Sequence, residues 1–397
     1  MSELGDRALR QQALTRRKLF PFAALSASYF AHIGFFNPYL PLWLKDLGLS
    51  ITMIGLLTAV QAATRVMAPY GWGWLSDHTG ERVKLLRFCA GASLFFSLGL
   101  LYPGGVGWLA LVLLLMFIHT SAMMPMSEAA LAHVVSRSGA FDAKRYGRVR
   151  LWGSLGFLVT VFVAGAWFEH QGIESFPVWA VCSLLALNLS VWWLPEQREA
   201  AHHDSPTAPV WSVLRQRSVQ WFFATVFFHV LSHIGIYVFF SLYLDTLGYS
   251  KTMIGVLWAV SVLAEIVWFF TQGRWLPKLS LPQWLLVCAL AMVVRMGLTS
   301  WLGDSLLALL LAQLLHALTF ATQHSVSTAV LSQHFPGRLR GRGQALYASI
   351  GYGVTGVLGA LGGGALSDAW GLSTVYTVSL GCACVACLCA WQFNRSN

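Results

Sequence analysis

Apolar runs long enough to cross a bilayer recur twelve times along this chain, and that recurrence constrains the fold more than any other feature. The runs cover residues 19–43, 51–76, 84–101, 108–134, 147–169, 176–194, 219–244, 252–272, 282–301, 305–333, 343–366 and 372–393. A helix needs about 20 apolar residues to span about 30 Å of hydrocarbon. Inside that hydrocarbon a segment must satisfy its own backbone hydrogen bonds, so each run reads as a helix. A soluble chain of 397 residues would need a charged surface, yet 56% of these residues are hydrophobic and 11% charged. No soluble segment is large enough to house an enzyme site. A phosphate-cradling Gly-rich loop ending in Lys-Ser/Thr is also absent, so neither catalysis nor ATP-driven work is expected.

The formal charge of +10 could suggest nucleic acid, but its distribution argues otherwise. Of the 26 Lys and Arg, all but Lys45, Lys251, Arg65 and Arg295 fall on alternate connections and the two termini. That bias marks the cytoplasmic face of a membrane protein. Both termini are therefore expected in the cytoplasm, with residues 1–18 as a basic lead-in, 195–218 as a polar linker and 394–397 as a short tail. The seven cysteines all lie inside apolar runs, where they read as small hydrophobes rather than disulfides. The Cys382, Cys384, Cys387, Cys389 cluster spreads over several helix faces with no His or carboxylate nearby, so no metal or other cofactor is expected.

The chain repeats itself. Residues 47–60, LGLSITMIGLLTAV, align with 247–260, LGYSKTMIGVLWAV, at an offset of 200 with ten of fourteen positions identical. His32-Ile33-Gly34 returns as His233-Ile234-Gly235. The repeat predicts two pseudo-symmetric six-helix bundles, 19–194 and 219–393, with a solute site between them near the midplane.

After the second run comes Gly73-Trp-Leu-Ser-Asp77-His-Thr-Gly80-Glu-Arg82-Val-Lys84, which resembles the signature loop of the major facilitator superfamily. Tyr146-Gly-Arg-Val-Arg-Leu-Trp-Gly-Ser154, Pro125-Met-Ser-Glu-Ala-Ala-Leu-Ala132 and Val293-Val-Arg-Met-Gly297 resemble the 3-phenylpropionate permease family within it. The resemblance implies an all-α integral membrane protein of the major facilitator fold in a bacterial inner membrane. It implies proton-coupled uptake of a small organic solute, such as an aromatic carboxylic acid, by a monomer. A symporter of a neutral sugar or nucleoside, or a proton-coupled efflux antiporter, would share the fold. The second-half counterpart of the signature loop, Gly273-Arg-Trp-Leu-Pro-Lys278, lacks the acid, so any latch there is expected to be weaker than the one at Asp77 and Arg82.

Away from the ends of the runs, four full charges remain: Arg65, Glu128, Glu265 and Arg295. Each costs a few kcal/mol if it faces lipid at the bilayer centre, so each is expected inside and in use. Arg65 and Glu265 are related by the repeat offset. Either Arg65 anchors an anion while Glu265 takes a proton, or the two form a gate ion pair. Glu128 is expected to pair with Arg148 or Arg150 as a gate, with a share in proton coupling. Glu265, Arg295 and His316 resemble the proton-coupling set of the lactose permease family, although Gln323-His324 replaces that family's acidic partner. His32 and His233 are expected to line the cavity together or to bond neighbouring helix backbone. Trp258 lies seven residues before Glu265, two turns along the same face, and could stack on a substrate ring.

Overall fold

The computed structural model describes residues 2–135, 143–196, 210–335 and 340–396. Among these residues all regular structure is helical, and twelve helices are long and apolar enough to cross a membrane. They are α1 Leu19–Asp46, α2 Ile51–Ser76, α3 Arg82–Leu101, α4 Val106–Glu128, α5 Arg148–Gln171 and α6 Ile173–Trp192. The second set is α7 Arg217–Thr246, α8 Lys251–Lys278, α9 Leu281–Trp301, α10 Leu306–His334, α11 Arg342–Trp370 and α12 Leu372–Arg395. Each begins within a few residues of the hydropathy expectation, because membrane-length apolar runs leave the backbone little alternative. Residues 2–18, expected as a lead-in, continue α1 as helix. Most of the linker, residues 197–209, lies outside the described residues.

Two compact units emerge, and they cut across the sequence halves. One comprises Met1–Phe36, Met67–Thr160 and Ser175–His203. The other comprises Asn37–Val66, Val161–Glu174 and Asp204–Asn397. In the first, α3 packs between α4 and α6. There α1 also crosses α5 so closely that a Cβ on Gly34 would stand 2.7 Å from the Phe157 carbonyl oxygen.

In the second unit, α7, α9 and α12 pack around an aromatic core that includes Phe222, Phe223, Phe335 and Phe393. The same unit takes in the ends of α1, α2 and α5 nearest the repeated turn, and the repeat explains why. Gly48 and Gly248 have φ of 79° and 83°, the left-handed conformation that ends α1 and α7. Ser50 and Ser250 then cap α2 and α8, accepting from the Met53 and Met253 amides at 3.2 and 3.1 Å. One turn on, Gly55 lies directly on the Ala360 carbonyl of α11, and Gly255 lies on the Val161 carbonyl of α5.

Carboxylates from the opposite repeat close the same end. Asp368 on α11 accepts from the Thr52 amide at 3.0 Å, and Glu169 on α5 accepts from the Lys251 amide at 2.6 Å. An acid at a helix start meets unpaired N–H groups and the positive end of the helix dipole. Lys45 and Asp245, themselves 200 residues apart, pair at 2.9 Å.

Gly55→Leu should therefore destabilise the protein by about 1–3 kcal/mol, as overpacking a tight contact does. Gly273→Leu, where an added Cβ meets nothing within 4 Å, is the control. Thermal unfolding in detergent reads both; equal melting temperatures would mean α2 and α11 do not pack there.

Candidate functional site

The second unit holds a cavity of about 230 Å³. Asn37, Thr58, Gln61 and Arg65 of α1 and α2 supply its polar wall. Ile234, Tyr237, Val238, Phe320, Tyr352 and Gly356 of α7, α10 and α11 face them. Three of these helices depart from α geometry at this level, with π-turns at Gly235–Phe239, Ala317–Thr322 and Ser349–Val354. Each π-turn carries a cavity residue, Tyr237, Phe320 and Tyr352 in turn. A π-turn inserts a residue and re-aims the side chains around it, which is why such turns gather at functional sites.

Arg65 is exposed to the cavity and makes no ion pair or hydrogen bond among the described residues. Its repeat partner Glu265 is not on the lining and does not pair with it. Glu265 is instead 14% exposed at its side chain, and its Oε2 lies 3.6 Å from His316 Nε2.

Behind the cavity wall sits Arg295, a guanidinium with 0% exposure. Its Nη1 reaches His233 Nε2 at 2.9 Å, Thr319 Oγ1 at 2.9 Å and His316 Nδ1 at 3.1 Å. Its Nη2 reaches Gln313 Oε1 at 3.1 Å. Arginine only donates, so both histidine nitrogens accept. His316 therefore carries its proton on Nε2, the atom facing Glu265. Nη1 has two hydrogens and three acceptors, so the His316 contact can be given up while the guanidinium stays paired. Arg295, His316 and Glu265 thus form a line of contacts with His316 in the middle. One aromatic layer separates it from the cavity: Tyr237 stacks on His233 with centroids 4.5 Å apart, and Phe320 stacks on His316 at 5.0 Å.

The other expected residues fall elsewhere. Trp258 is buried, donates to Ser241 Oγ at 3.1 Å and does not line this cavity. His32 is fully buried in the first unit, bonded to Ser183 at 2.8 Å among Phe35 and Phe36. His32 and His233 thus belong to different units. Glu128 meets Arg150 at 3.7 Å in the first unit, and the Arg150 guanidinium lies 4.0 Å over Phe30. Arg82 donates to Ser76 Oγ at 3.1 Å. The side chain of Asp77 lies outside the described residues.

Sequence reasoning passed over Asn37, Gln61, Tyr352, Gln313 and Thr319. A signal for the amides existed: an uncharged amide inside an apolar run still needs a partner. The π-turns leave no such trace.

Twelve membrane-length helices, with a small, partly polar cavity in the second unit, are the architecture of a membrane transporter. The chain belongs to the MFS_1 like family, whose model matches residues 24–378. It is 27% identical over 329 residues to the "Probable 3-phenylpropionic acid transporter" of Escherichia coli (strain K12), covering 82% of this chain and 85% of that one. It is 24% identical over 388 residues to the maltose permease of Geobacillus stearothermophilus, covering 96% and 95%. Among solved structures it resembles the nucleoside transporter NupG, with a TM-score of 0.78 and 14% identity over 95% of this chain and 98% of that one.

Removing the Arg295 guanidinium strands four acceptors in a dry interior. Arg295→Ala should cost about 3–5 kcal/mol, the range for breaking a buried charged cluster. Glu128→Gln, at a side chain 39% exposed, should cost no more than about 1 kcal/mol. Melting temperatures of the purified variants check the contrast; similar losses would mean Arg295 is solvated.

Proposed function

We propose that this transporter takes up a small carboxylic acid of the aryl-alkanoate kind together with a proton. The observation that carries the reading is the division of labour inside the second unit. Arg65 opens on the cavity with no counter-ion among the described residues, while Glu265 is engaged by His316. A guanidinium with no ion pair or hydrogen bond among the described residues favours an anion, and its planar fork suits a carboxylate. A cavity of about 230 Å³ suits a solute smaller than the drug-sized ligands of roughly 300–1,000 Å³ pockets. The 3-phenylpropionic acid named for the Escherichia coli relative supports that choice.

In this mechanism Glu265 takes up and releases the proton, and the His316 imidazole presents its Nε2–H towards the carboxylate. Arg295 holds the imidazole in the tautomer that makes this possible. The protein works as a monomer in a bacterial inner membrane with both termini in the cytoplasm, as the Lys/Arg distribution indicates. The end closed by Lys45–Asp245, Asp368 and Glu169 then faces the periplasm. Asp77, Arg82 and the Glu128–Arg150 pair serve as latches at the cytoplasmic end.

Transport measurements test the reading. Adding 3-phenylpropionate to right-side-out vesicles should alkalinise the medium as the acid enters; entry without alkalinisation would rule out symport. Glu265→Gln should abolish uphill uptake while sparing exchange, and normal uphill uptake would remove Glu265 from the proton path. Arg65→Gln should raise KM for the acid about 10- to 100-fold, the worth of a charge-assisted hydrogen-bonding partner. Unimpaired acid uptake by that variant, or transport of maltose or a nucleoside in its place, would turn the reading to a neutral solute.

A further inference from the structure

Resting on the carboxylate reading of the cavity, we propose that the transported acid carries a ring hydroxyl, and that Asn37 and Gln61 receive it. Gln61 Nε2 lies 3.0 Å from Asn37 Oδ1, and both side chains line the cavity. This amide–amide bond consumes one N–H and one carbonyl oxygen. Whichever way the two amides are turned, one carbonyl oxygen and further N–H groups are left over. A hydroxyl both donates and accepts, so it satisfies the pair. A carboxylate can only accept and an ammonium can only donate, so neither does. Thr58, the hydroxyl of this wall, shares its one proton between the Ile54 and Gly55 carbonyls, at 2.9 and 3.0 Å.

The spacing fits one molecule. Gln61 and Arg65 are four residues apart on α2, one turn or about 6 Å along the axis on the same face. An acid with its carboxylate on Arg65 lays its ring beside the amide pair, a distance a short alkyl arm covers. Ile234, Val238 and Phe320 supply an apolar wall opposite for the ring. When the site closes and water leaves, a bare phenyl ring strands the leftover amide groups, whereas a hydroxylated ring pairs them. A site built to hydrogen-bond a hydroxyl rejects the analogue that lacks it.

The test uses the full chain in proteoliposomes with two probes, 3-phenylpropionate and its ring-hydroxylated analogues. The hydroxylated acid should show kcat/KM at least about tenfold higher, in line with rejection of the bare ring. Gln61→Leu and Asn37→Leu should bring that ratio close to one by slowing the hydroxylated acid, while Arg65→Gln weakens both acids and keeps the ratio. Equal rates in the unaltered protein, or a ratio that survives Gln61→Leu, overturn the hydroxyl proposal alone. Uptake of neither acid overturns the carboxylate reading and this proposal with it. A binding measurement that needs no variant runs alongside. At equal concentration the hydroxylated acid should raise the melting temperature of the purified protein further than the bare acid, and equal shifts overturn the proposal.

Discussion

A guanidinium cannot readily shed its charge, and a protein interior cannot leave that charge without acceptors. Arg295 is fully buried, and among the described residues no carboxylate touches it. Its charge is spread instead over two imidazoles, a threonine hydroxyl and a glutamine carbonyl from α7 and α10. Bringing those acceptors to one point requires α10 to turn its side chains between Gln313 and Thr319, and the π-turn at Ala317–Thr322 starts within that interval. The aromatic layer follows from the same centre. Tyr237 and Phe320 lie on the imidazoles that Arg295 fixes, and their other faces make the cavity wall. The shape of the cavity is thereby tied to the hydrogen bonding of one buried cation.

The closed end of the second unit rests on a different economy, that of unpaired backbone. Each helix start exposes N–H groups with no intrahelical partner. In α2 and α8 a serine from the repeated motif takes one, and a carboxylate from the other repeat takes another. Both contacts are polar, and the glycines beside them bring helix backbones close together. Such contacts can be broken one by one at modest cost, since caps and dipole interactions are each worth roughly 0.5–2 kcal/mol.

Much of this was legible in the sequence, for reasons that differ by feature. The twelve spans were, because bilayer thickness acts on local composition. The repeat was, because its identities cover a polar turn where chance matches are few. The intramembrane charges were visible as residues but not as pairs. Repeat symmetry made Arg65 and Glu265 candidates for one site, yet Glu265 meets His316, three residues past Gln313 on α10. Trp258 and Glu265 share a helix face, but the indole is taken up by Ser241 on α7. Period alone names the face a residue shares and cannot name the neighbour across it. The π-turns break the period itself, so positions beyond them are re-aimed with no mark in the residue pattern.

In the proposed mechanism the anion anchor and the proton acceptor are separate groups, and that has a consequence for coupling. If Arg65 and Glu265 were paired, binding an anion at one would have to break a bond to the other, and the cost would fall on affinity. With Arg65 uncommitted and Glu265 set 3.6 Å from the His316 imidazole, an incoming carboxylate adds negative charge to the cavity without displacing an ion-pair partner. That charge raises the favour for a proton on Glu265, and by reciprocity a proton there strengthens the hold on the anion. The effect is large enough to matter where water is scarce, because interactions between charges grow as the effective dielectric falls. Coupling of solute to proton in the proposed mechanism then needs no moving ion pair at the binding step. It needs only a cavity that keeps both charges in view, behind one layer of aromatic rings, until the closed end opens.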